Sequence, residues 1–139
     1  MRAFDTDVLT EILAGNAAFV RRAAAIATVE RIVPVIVVEE LLRGRLHAIR
    51  QAEAGKSKIS IERAYAYLAE TIEALRPVPL LAYSADAESV FQQWRRGKVR
   101  GSTHDLRIAA TCVAHAVTLV SRNRRHFQDI PGLDVEFWS

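Results

Sequence analysis

The sequence predicts a three-layer α/β/α domain around a mostly parallel central sheet of four to five strands. Short apolar runs rich in β-branched residues alternate along the chain with longer amphipathic segments, which is typical of β–α–β units. The run VPVIVV at 33–38 is apolar throughout, as expected for a strand covered on both faces. No internal repeat, low-complexity tract or Gly/Ser-rich linker interrupts the 139 residues, so we expect one domain over 1–139.

The first half of the chain is predicted to alternate short strands with helices. The apolar residues after Phe4 switch to helical spacing, which indicates that a short buried strand ends there and a helix follows. Gly15 and Asn16 stop this helix, and helix propensity supports the next one. In chain order we predict a strand ending at Ala3 and Phe4, helices over 6–16 and 17–30, a strand over 33–38, and helices over 40–55 and 61–75.

The second half of the chain is predicted to carry the remaining strands. Ser84 caps one helix, which Gly97 closes, and Ser102 or Thr103 caps the next. The predicted elements are a strand over 78–84, helices over 84–97 and 102–116, a strand over 116–121, a short turn or helix over 124–130, and a strand over 133–138.

The composition is that of an ordinary folded domain. Half of the residues are apolar and 25% are charged. No apolar run approaches the roughly 20 residues that span a bilayer, and the N-terminal MRAFDTD lacks the apolar region of a signal peptide. Cys112 is the only cysteine, so no intramolecular disulfide can form, and we interpret it as a buried thiol. We therefore expect a cytoplasmic protein without a membrane segment.

Basic residues are clustered although the chain is only mildly basic, with a net charge of +3. The segment RRGKVR at 95–100 precedes Asp105, and Arg122, Arg124 and Arg125 follow the strand predicted over 116–121. Because such clusters flank an acidic segment, nucleic acid is a candidate partner.

Three acidic residues from distant parts of the chain are predicted to share one edge of the sheet. Asp5 lies at the carboxyl end of the first predicted strand, and Glu40 lies just past the second. Asp105 lies in the first turn of a helix. Ligands of open parallel sheets bind beyond the carboxyl ends of the strands. Helix capping and the helix dipole would explain Asp5 and Asp105, but they do not explain Glu40.

A divalent cation would resolve the repulsion among these carboxylates. Close like charges disfavour joint ionisation, and Mg²⁺ is typically held by a few carboxylates together with water and substrate phosphates. Gly44, one turn after Glu40, costs roughly 1 kcal/mol in a helix interior relative to Ala, which predicts that another element or a ligand approaches there. Acidic residues with a basic rim favour phosphodiester chemistry.

Four segments resemble the PIN-domain family, and within it the VapC-type toxin ribonucleases of toxin–antitoxin pairs. They occur in the family's order and cover nearly the whole chain: FDTDVLTEIL (4–13), VVEELLRGRL (37–46), STHDLRIAATCVAHAVTLVSRN (102–123) and HFQDIPGLDVEFW (126–138). The resemblance implies a PIN-like fold and a metal-dependent endoribonuclease activity.

Site residues follow from this resemblance position by position. Asp5, Glu40 and Asp105 match the family's metal-binding acids, with Asp5 and Asp105 as the main ligands of Mg²⁺, for which Mn²⁺ is a plausible substitute. The residues that match the surrounding polar positions are Thr6, Asp7, Ser121 and Asn123.

The sequence departs from the family's pattern at His126, where a fourth acid is common. Imidazole suits Mn²⁺ or Zn²⁺ better than Mg²⁺, so a second metal is in doubt. Asp129 is a weak substitute for that acid, and His47, His104 and His115 are interpreted as structural.

RNA, an antitoxin and a second copy of the chain are the partners that the resemblance implies. The candidate RNA contacts are Arg95, Arg96, Lys98, Arg122, Arg124 and Arg125. A VapB-type antitoxin would place an arginine against the acidic residues. The apolar stripe on the helix over 61–75 is a candidate homodimer interface, although such a stripe is more often core; it comprises Ile61, Ala64, Tyr65, Leu68, Ile72 and Leu75.

Two other functions remain open at the level of sequence. Asp5 and Asp7 have the D-x-D spelling of phosphohydrolases that use a covalent aspartate nucleophile and a general acid, but the lysine and late acidic pair of those enzymes are not evident. A non-catalytic RNA- or protein-binding module with the same fold is the other alternative.

Overall fold

A parallel five-stranded sheet forms the centre of the computed structural model, which describes residues 1–139. The strands are β1 (Arg2–Phe4), β2 (Arg31–Pro34), β3 (Leu80–Leu81), β4 (Thr118–Ser121) and β5 (Val135–Phe137), in the spatial order β3-β2-β1-β4-β5. Every neighbouring pair is parallel. The predicted α/β fold with a parallel sheet of up to five strands is confirmed.

The order in which the strands are added to the sheet reverses at strand β1. The chain builds β2 and β3 on one side of β1, and it later returns to build β4 and β5 on the other. The crevice beyond the carboxyl end of such a strand is where open α/β sheets bind ligands. The fold therefore places the residue after Phe4, which is Asp5, at that crevice.

Seven helices cover the sheet. They are α1 (Thr6–Leu13), α2 (Ala17–Ala24), α3 (Val35–Glu53), α4 (Ile61–Leu75), α5 (Ala85–Arg96), α6 (Thr103–His115) and α7 (Arg124–Phe127), with one 3₁₀ turn at Thr28–Glu30. Helix α1 packs against α2, α3 against α4, and α5 against α6. Consecutive residues of β1 and β4 are buried, so both faces of the sheet are covered and the fold has three layers.

The strand predicted over 33–38 is wrong. Strand β2 ends at Pro34, and Val35 already begins α3, so the apolar residues after it form the first turns of a 19-residue helix. The periodicity of a short apolar run does not show whether the run forms a strand or a buried helix. Here the run continues into a long helix, so it forms the first turns of that helix. Glu40 consequently lies in the second turn of α3 and not just beyond a strand.

Most other predicted elements are shorter in the structure by a few residues, and two of them are much shorter. The helix predicted over 17–30 ends at Ala24 and gives way to the 3₁₀ turn, because helix propensity is a weak preference that tertiary packing overrides. The strand predicted over 78–84 contains only Leu80–Leu81. The predicted caps are confirmed, since Ser84 Oγ accepts a hydrogen bond from Ala87 N at 3.1 Å and Ser102 Oγ accepts one from Asp105 N at 3.1 Å.

The core lies between the sheet and the helix pairs. Its largest fully buried side chains include Phe91 of α5, Ile108 of α6, Leu119 of β4 and Phe127 of α7. Cys112 is buried as predicted, and burial raises the pKa of its thiol to about 12, so it is not a nucleophile at neutral pH. None of the helices has the length and apolar character needed to cross a membrane.

Candidate metal centre

Asp5 is the most deeply buried charged residue of the site, with only 6% of its surface exposed. It is the N-cap of α1, where its Oδ1 accepts a hydrogen bond from Thr6 N at 2.8 Å. Its Oδ2 accepts a hydrogen bond from Ser121 Oγ at 2.7 Å across the neighbouring strand. Asp5 therefore caps the helix with one carboxylate oxygen, and its other oxygen has a separate role in binding Ser121.

Glu40 is tied to the same place through Thr6. Thr6 Oγ1 donates a hydrogen bond of 2.9 Å to Glu40 Oε2, which joins the first turn of α1 to the second turn of α3. The other oxygen, Glu40 Oε1, is buried and has no hydrogen-bond partner. A buried acceptor without a partner is costly and calls for a ligand, a water molecule or an ion.

Asp105 reaches the site from the first turn of α6, where its side chain is mostly buried. Its Oδ2 lies 2.8 Å from Nδ1 of His126, which belongs to the short helix α7. Asn123, the N-cap of α7, accepts a hydrogen bond from His126 N at 3.2 Å, and its Nδ2 lies 2.9 Å from the same His126 Nδ1. The residue at the position of the family's fourth acid thus contacts the site as an imidazole.

The carboxylates of the site influence one another electrostatically. Burial raises the pKa of Asp5 to about 7, the charge of Asp7 raises it as well, and Asp105 adds a smaller contribution of the same sign. Hydrogen bonds from Ser121 and from the Thr6 backbone oppose this shift. Burial also raises the pKa of Glu40, and the negative charge of Asp105 contributes to that rise.

The chemistry of these residues fits a hard divalent cation, although their positions are not those of an assembled metal site. No three acidic, histidine or cysteine side chains are close enough together to hold a metal ion as they stand, and Asp105 is paired with His126. A cation would nevertheless find carboxylate oxygens, including the orphaned Glu40 Oε1, and its charge would offset the burial and the smaller repulsion that raise the pKa of Asp5.

The remaining residues of the prediction lie around this centre in different roles. Asp7 accepts hydrogen bonds from Val8 N at 2.7 Å and from Arg122 N at 3.3 Å, so it fastens the start of α1 to the end of β4. Asp129 is exposed and makes no contact with the other acids. A Cβ at Gly44 would meet no atom within 4 Å, so the close approach predicted there does not occur within this chain.

The basic candidates fall into two groups. Arg95, Arg96 and Lys98 lie exposed at the end of α5 and in the turn that follows. Arg122, Arg124 and Arg125 lie exposed at the end of β4 and on α7, directly beside Asn123 and His126. Arg122 is partly engaged, because its Nη1 lies 2.9 Å from Glu11 Oε1.

A small charged cluster at the rim was not predicted from the sequence. Glu39 Oε1 lies 3.2 Å from His104 Nε2, and Glu39 Oε2 lies 2.8 Å from Arg43 Nη2. His104, which the sequence predicts to be structural, links α6 to α3 beside Glu40 and Asp105. Its position next to Asp105 was the only signal that could have placed it here.

Residues 3–133 match the PIN domain family, and the chain belongs to that family. No curated protein matches the chain. Among solved structures, the chain is similar to VapBC2 from Rickettsia felis bound to a promoter DNA fragment, at 21% identity, with 99% of this chain and 98% of that chain covered and a TM-score of 0.74.

Two further structures share the fold. FitAcB from Neisseria gonorrhoeae is 20% identical, with 100% of this chain and 97% of that chain covered and a TM-score of 0.74. A toxin–antitoxin complex from Klebsiella pneumoniae is 20% identical, with 96% of this chain and 95% of that chain covered and a TM-score of 0.61. The resemblance to PIN-domain proteins is confirmed, and at these identities the solved structures establish the shared fold.

The raised pKa of Asp5 predicts a pH-dependent gain in stability for Asp5→Asn in metal-free protein. The folded-state pKa near 7 exceeds the ordinary value of 3.8. Protonated Asp5 therefore contributes its full stabilisation below about pH 4, and this contribution is lost as the pH rises through 7. The shift corresponds to at most about 4 kcal/mol.

Denaturant unfolding in excess chelator at pH 5 and pH 8 measures this difference. We expect Asp5→Asn to raise the free energy of unfolding, relative to the wild type, by a few kcal/mol more at pH 8 than at pH 5. The control Asp86→Asn, in the exposed first turn of α5, should have nearly the same effect on this free energy at both pH values. An equal effect of Asp5→Asn at both pH values would contradict the burial argument.

Proposed function

We propose that this protein is a metal-dependent endoribonuclease that acts as the toxin of a toxin–antitoxin pair, with Mg²⁺ as its cofactor and Mn²⁺ as a substitute. The observation that carries the proposal is the buried acidic centre of a PIN domain. In this centre burial disfavours the ionised form of Asp5, and Glu40 Oε1 has no hydrogen-bond partner. An arrangement that is unfavourable for the protein alone is favourable for binding a cation.

Each residue of the centre has a distinct part in this function. Asp5 and Asp105 would hold the cation, and Glu40 would bind it through water or orient the attacking water. A bound cation supplies Lewis-acid activation of water and neutralises charge on the scissile phosphate. Ser121 holds Asp5 in place and Thr6 holds Glu40, so these two hydroxyls fix the carboxylates before a substrate arrives.

His126 favours a centre with one cation. A carboxylate at this position would add a negative charge beside Asp105, whereas the imidazole contacts Asp105 Oδ2 through Nδ1. Nitrogen donors suit Mg²⁺ poorly. We therefore assign His126 and Asn123 to the positioning of Asp105 and not to a second Mg²⁺ site.

The alternatives receive less support from the geometry. A phosphohydrolase would need Asp7 as a general acid, a lysine and a late acidic pair, and the lysine and the acidic pair are not evident in the sequence. Asp7, its general acid, accepts hydrogen bonds from two backbone N–H groups. A non-catalytic module would have no use for an acidic centre that is unfavourable for the protein alone.

A VapB-type antitoxin is the proposed regulator. Structures similar to this chain include VapBC2 and a toxin–antitoxin complex. An arginine from such a partner would form charge-assisted hydrogen bonds with Asp5, Glu40 or Asp105 and would compete with the cation. The buried thiol of Cys112 and the absence of any disulfide suit a cytoplasmic site of action.

Replacing the proposed metal ligands tests the catalytic proposal. We expect Asp5→Ala and Asp105→Ala to lower Mg²⁺- or Mn²⁺-dependent cleavage of RNA at least about a hundredfold, with the fold intact, because each removes a cation ligand and relieves repulsion. Asp86→Ala should retain full activity. Cleavage that survives both substitutions, or that persists in excess chelator, would refute metal catalysis at this centre.

A homodimer is proposed through the face formed by α3, α4 and β3. Within the apolar stripe of α4, Ala64 is buried, whereas Ile61, Tyr65 and Ile72 remain exposed at 42%, 53% and 47%. Leu80 on the edge strand β3 is 53% exposed, and it lines an open groove of about 310 Å³ together with Ile72. A single chain thus leaves part of the stripe uncovered, as a dimer interface requires.

Sedimentation velocity at micromolar concentration tests the dimer. We expect a dimer for the wild type and a monomer for Ile72→Lys, since a lysine in the centre of an apolar interface loses its hydration without gaining a partner. Val29→Lys serves as the control, because Val29 is exposed on the 3₁₀ turn. A monomeric wild type, or a dimer that Ile72→Lys leaves unchanged, would refute the interface.

A further inference from the structure

An open cavity of about 420 Å³ lies between the end of α2 and the last strand, outside the acidic centre. Arg22 of α2, Arg2 of β1 and Trp138, which follows β5, line it together with Glu136. The cavity combines two guanidinium groups with one carboxylate. The remaining lining residues are Ala25, Ile26 and Phe137, so the guanidinium groups are the part of the lining that would attract an anion.

Only one of the two guanidinium groups is neutralised. Arg2 Nε donates a hydrogen bond of 3.0 Å to Glu136 Oε2, and Trp138 Nε1 donates one of 2.9 Å to Glu136 Oε1. Both oxygens of Glu136 are thus engaged by other groups. The guanidinium of Arg22 lies 5.7 Å from the centre of the Trp138 ring and makes no hydrogen bond or ion pair within the chain. The donors of Arg22 remain available.

A series of ring and guanidinium contacts leads from this cavity towards the end of β4. Arg122 lies 5.2 Å over the Phe19 ring, Phe19 lies 6.2 Å from Trp138 between ring centres, and Arg22 covers Trp138. Arg122 follows Ser121, whose hydroxyl binds Asp5. The backbone of Arg122 therefore lies next to the residue that binds Asp5, whereas its guanidinium is paired with Glu11. The other end of this series of contacts lies in the cavity.

A second stacked arginine reinforces the same route. Arg124 of α7 lies 4.7 Å over the ring of Phe137, and Phe137 also lines the cavity. His126, on the same short helix, contacts Asp105. Arg124 and Arg22 thus lie on either side of the cavity with their charges unpaired, whereas Arg2 and Arg122 are paired with Glu136 and Glu11.

These arginines are suited to backbone phosphates and not to bases. Phe19 and Trp138 are 4% and 5% exposed, so their rings are covered and cannot stack on a nucleobase. A guanidinium that packs against a ring can still direct N–H groups at its edge to a phosphate. Contacts of this kind position a nucleic acid strand without reading its sequence.

We propose that a single strand of RNA runs from the acidic centre across the β4–β5 edge and that Arg22 binds one of its phosphates at the cavity. The inference rests on the proposed ribonuclease function, because it takes RNA as the occupant. It adds Arg22 to the RNA contacts and makes the α2–β5 side the substrate path. Arg95, Arg96 and Lys98 lie outside this path.

The salt dependence of RNA binding tests the role of Arg22. The probe is a fluorescein-labelled oligouridine of about 15 nucleotides, titrated with the full-length chain in excess chelator between roughly 50 and 300 mM KCl. Removing one guanidinium that pairs with one phosphate should lower the magnitude of the slope of log affinity against log salt by about 0.7 for a single strand. We expect Arg22→Ala to show this decrease together with a roughly fivefold weaker affinity.

Two matched variants separate the stacked arginine from general charge. Arg21→Ala removes an equal charge from the neighbouring exposed position of α2, which contacts no ring, and it should leave the slope unchanged. Arg22→Lys keeps the charge and should restore most of the slope. Equal slopes for Arg21→Ala and Arg22→Ala would overturn the proposal, as would wild-type binding by Arg22→Ala.

Cleavage of the same RNA with Mg²⁺ distinguishes failure of this inference from failure of the proposed function. Wild-type protein that cleaves RNA, combined with Arg22→Ala binding as wild type, refutes the path alone. Arg22-dependent binding without any cleavage supports the path and refutes the nuclease. If Arg22→Ala leaves RNA binding unchanged but weakens inhibition by the antitoxin, the surface binds protein and the proposal is wrong.

Discussion

Burial of the Asp5 carboxylate at the carboxyl end of the central strand is the constraint on which the rest of the site depends. The sheet reverses its order at β1, so the residue after Phe4 lies in the crevice of the fold. Burial alone would favour a neutral carboxyl group there, and it raises the pKa of Asp5 to about 7. The hydrogen bonds from Ser121 and Thr6 N offset part of this cost.

The neighbouring polar groups hold two further carboxylates close to Asp5. Thr6 holds Glu40 with one oxygen bonded and the other buried without a partner, and His126 holds Asp105. Proteins that keep such unfavourable groups usually do so at functional sites, where a ligand supplies the missing interaction. A divalent cation would satisfy Glu40 Oε1 and neutralise Asp5 together, and this links the stability of the fold to the proposed chemistry.

Much of this architecture could be predicted from local sequence signals. The change from apolar strand to helical spacing at Asp5 and the serine caps of α5 and α6 are local, and each of these signals was sufficient. The run at 33–38 was misassigned because a buried helix start and a buried strand share the same composition. The prediction for Glu40 therefore rests on the wrong element, although Glu40 does lie beside Thr6. No local pattern indicates contacts between distant segments, such as the contact between His126 and Asp105 or the ring contacts that lead from Arg122 to Arg22.

Anomalous scattering from crystals grown with Mn²⁺ would locate a cation at this centre independently of activity. Manganese accepts the carboxylate and water ligands that Mg²⁺ prefers. We expect one anomalous peak bonded to the carboxylates of Asp5 and Asp105. Crystals that contain Mn²⁺ at a concentration supporting cleavage but have no peak at these carboxylates would contradict a metal centre built on Asp5.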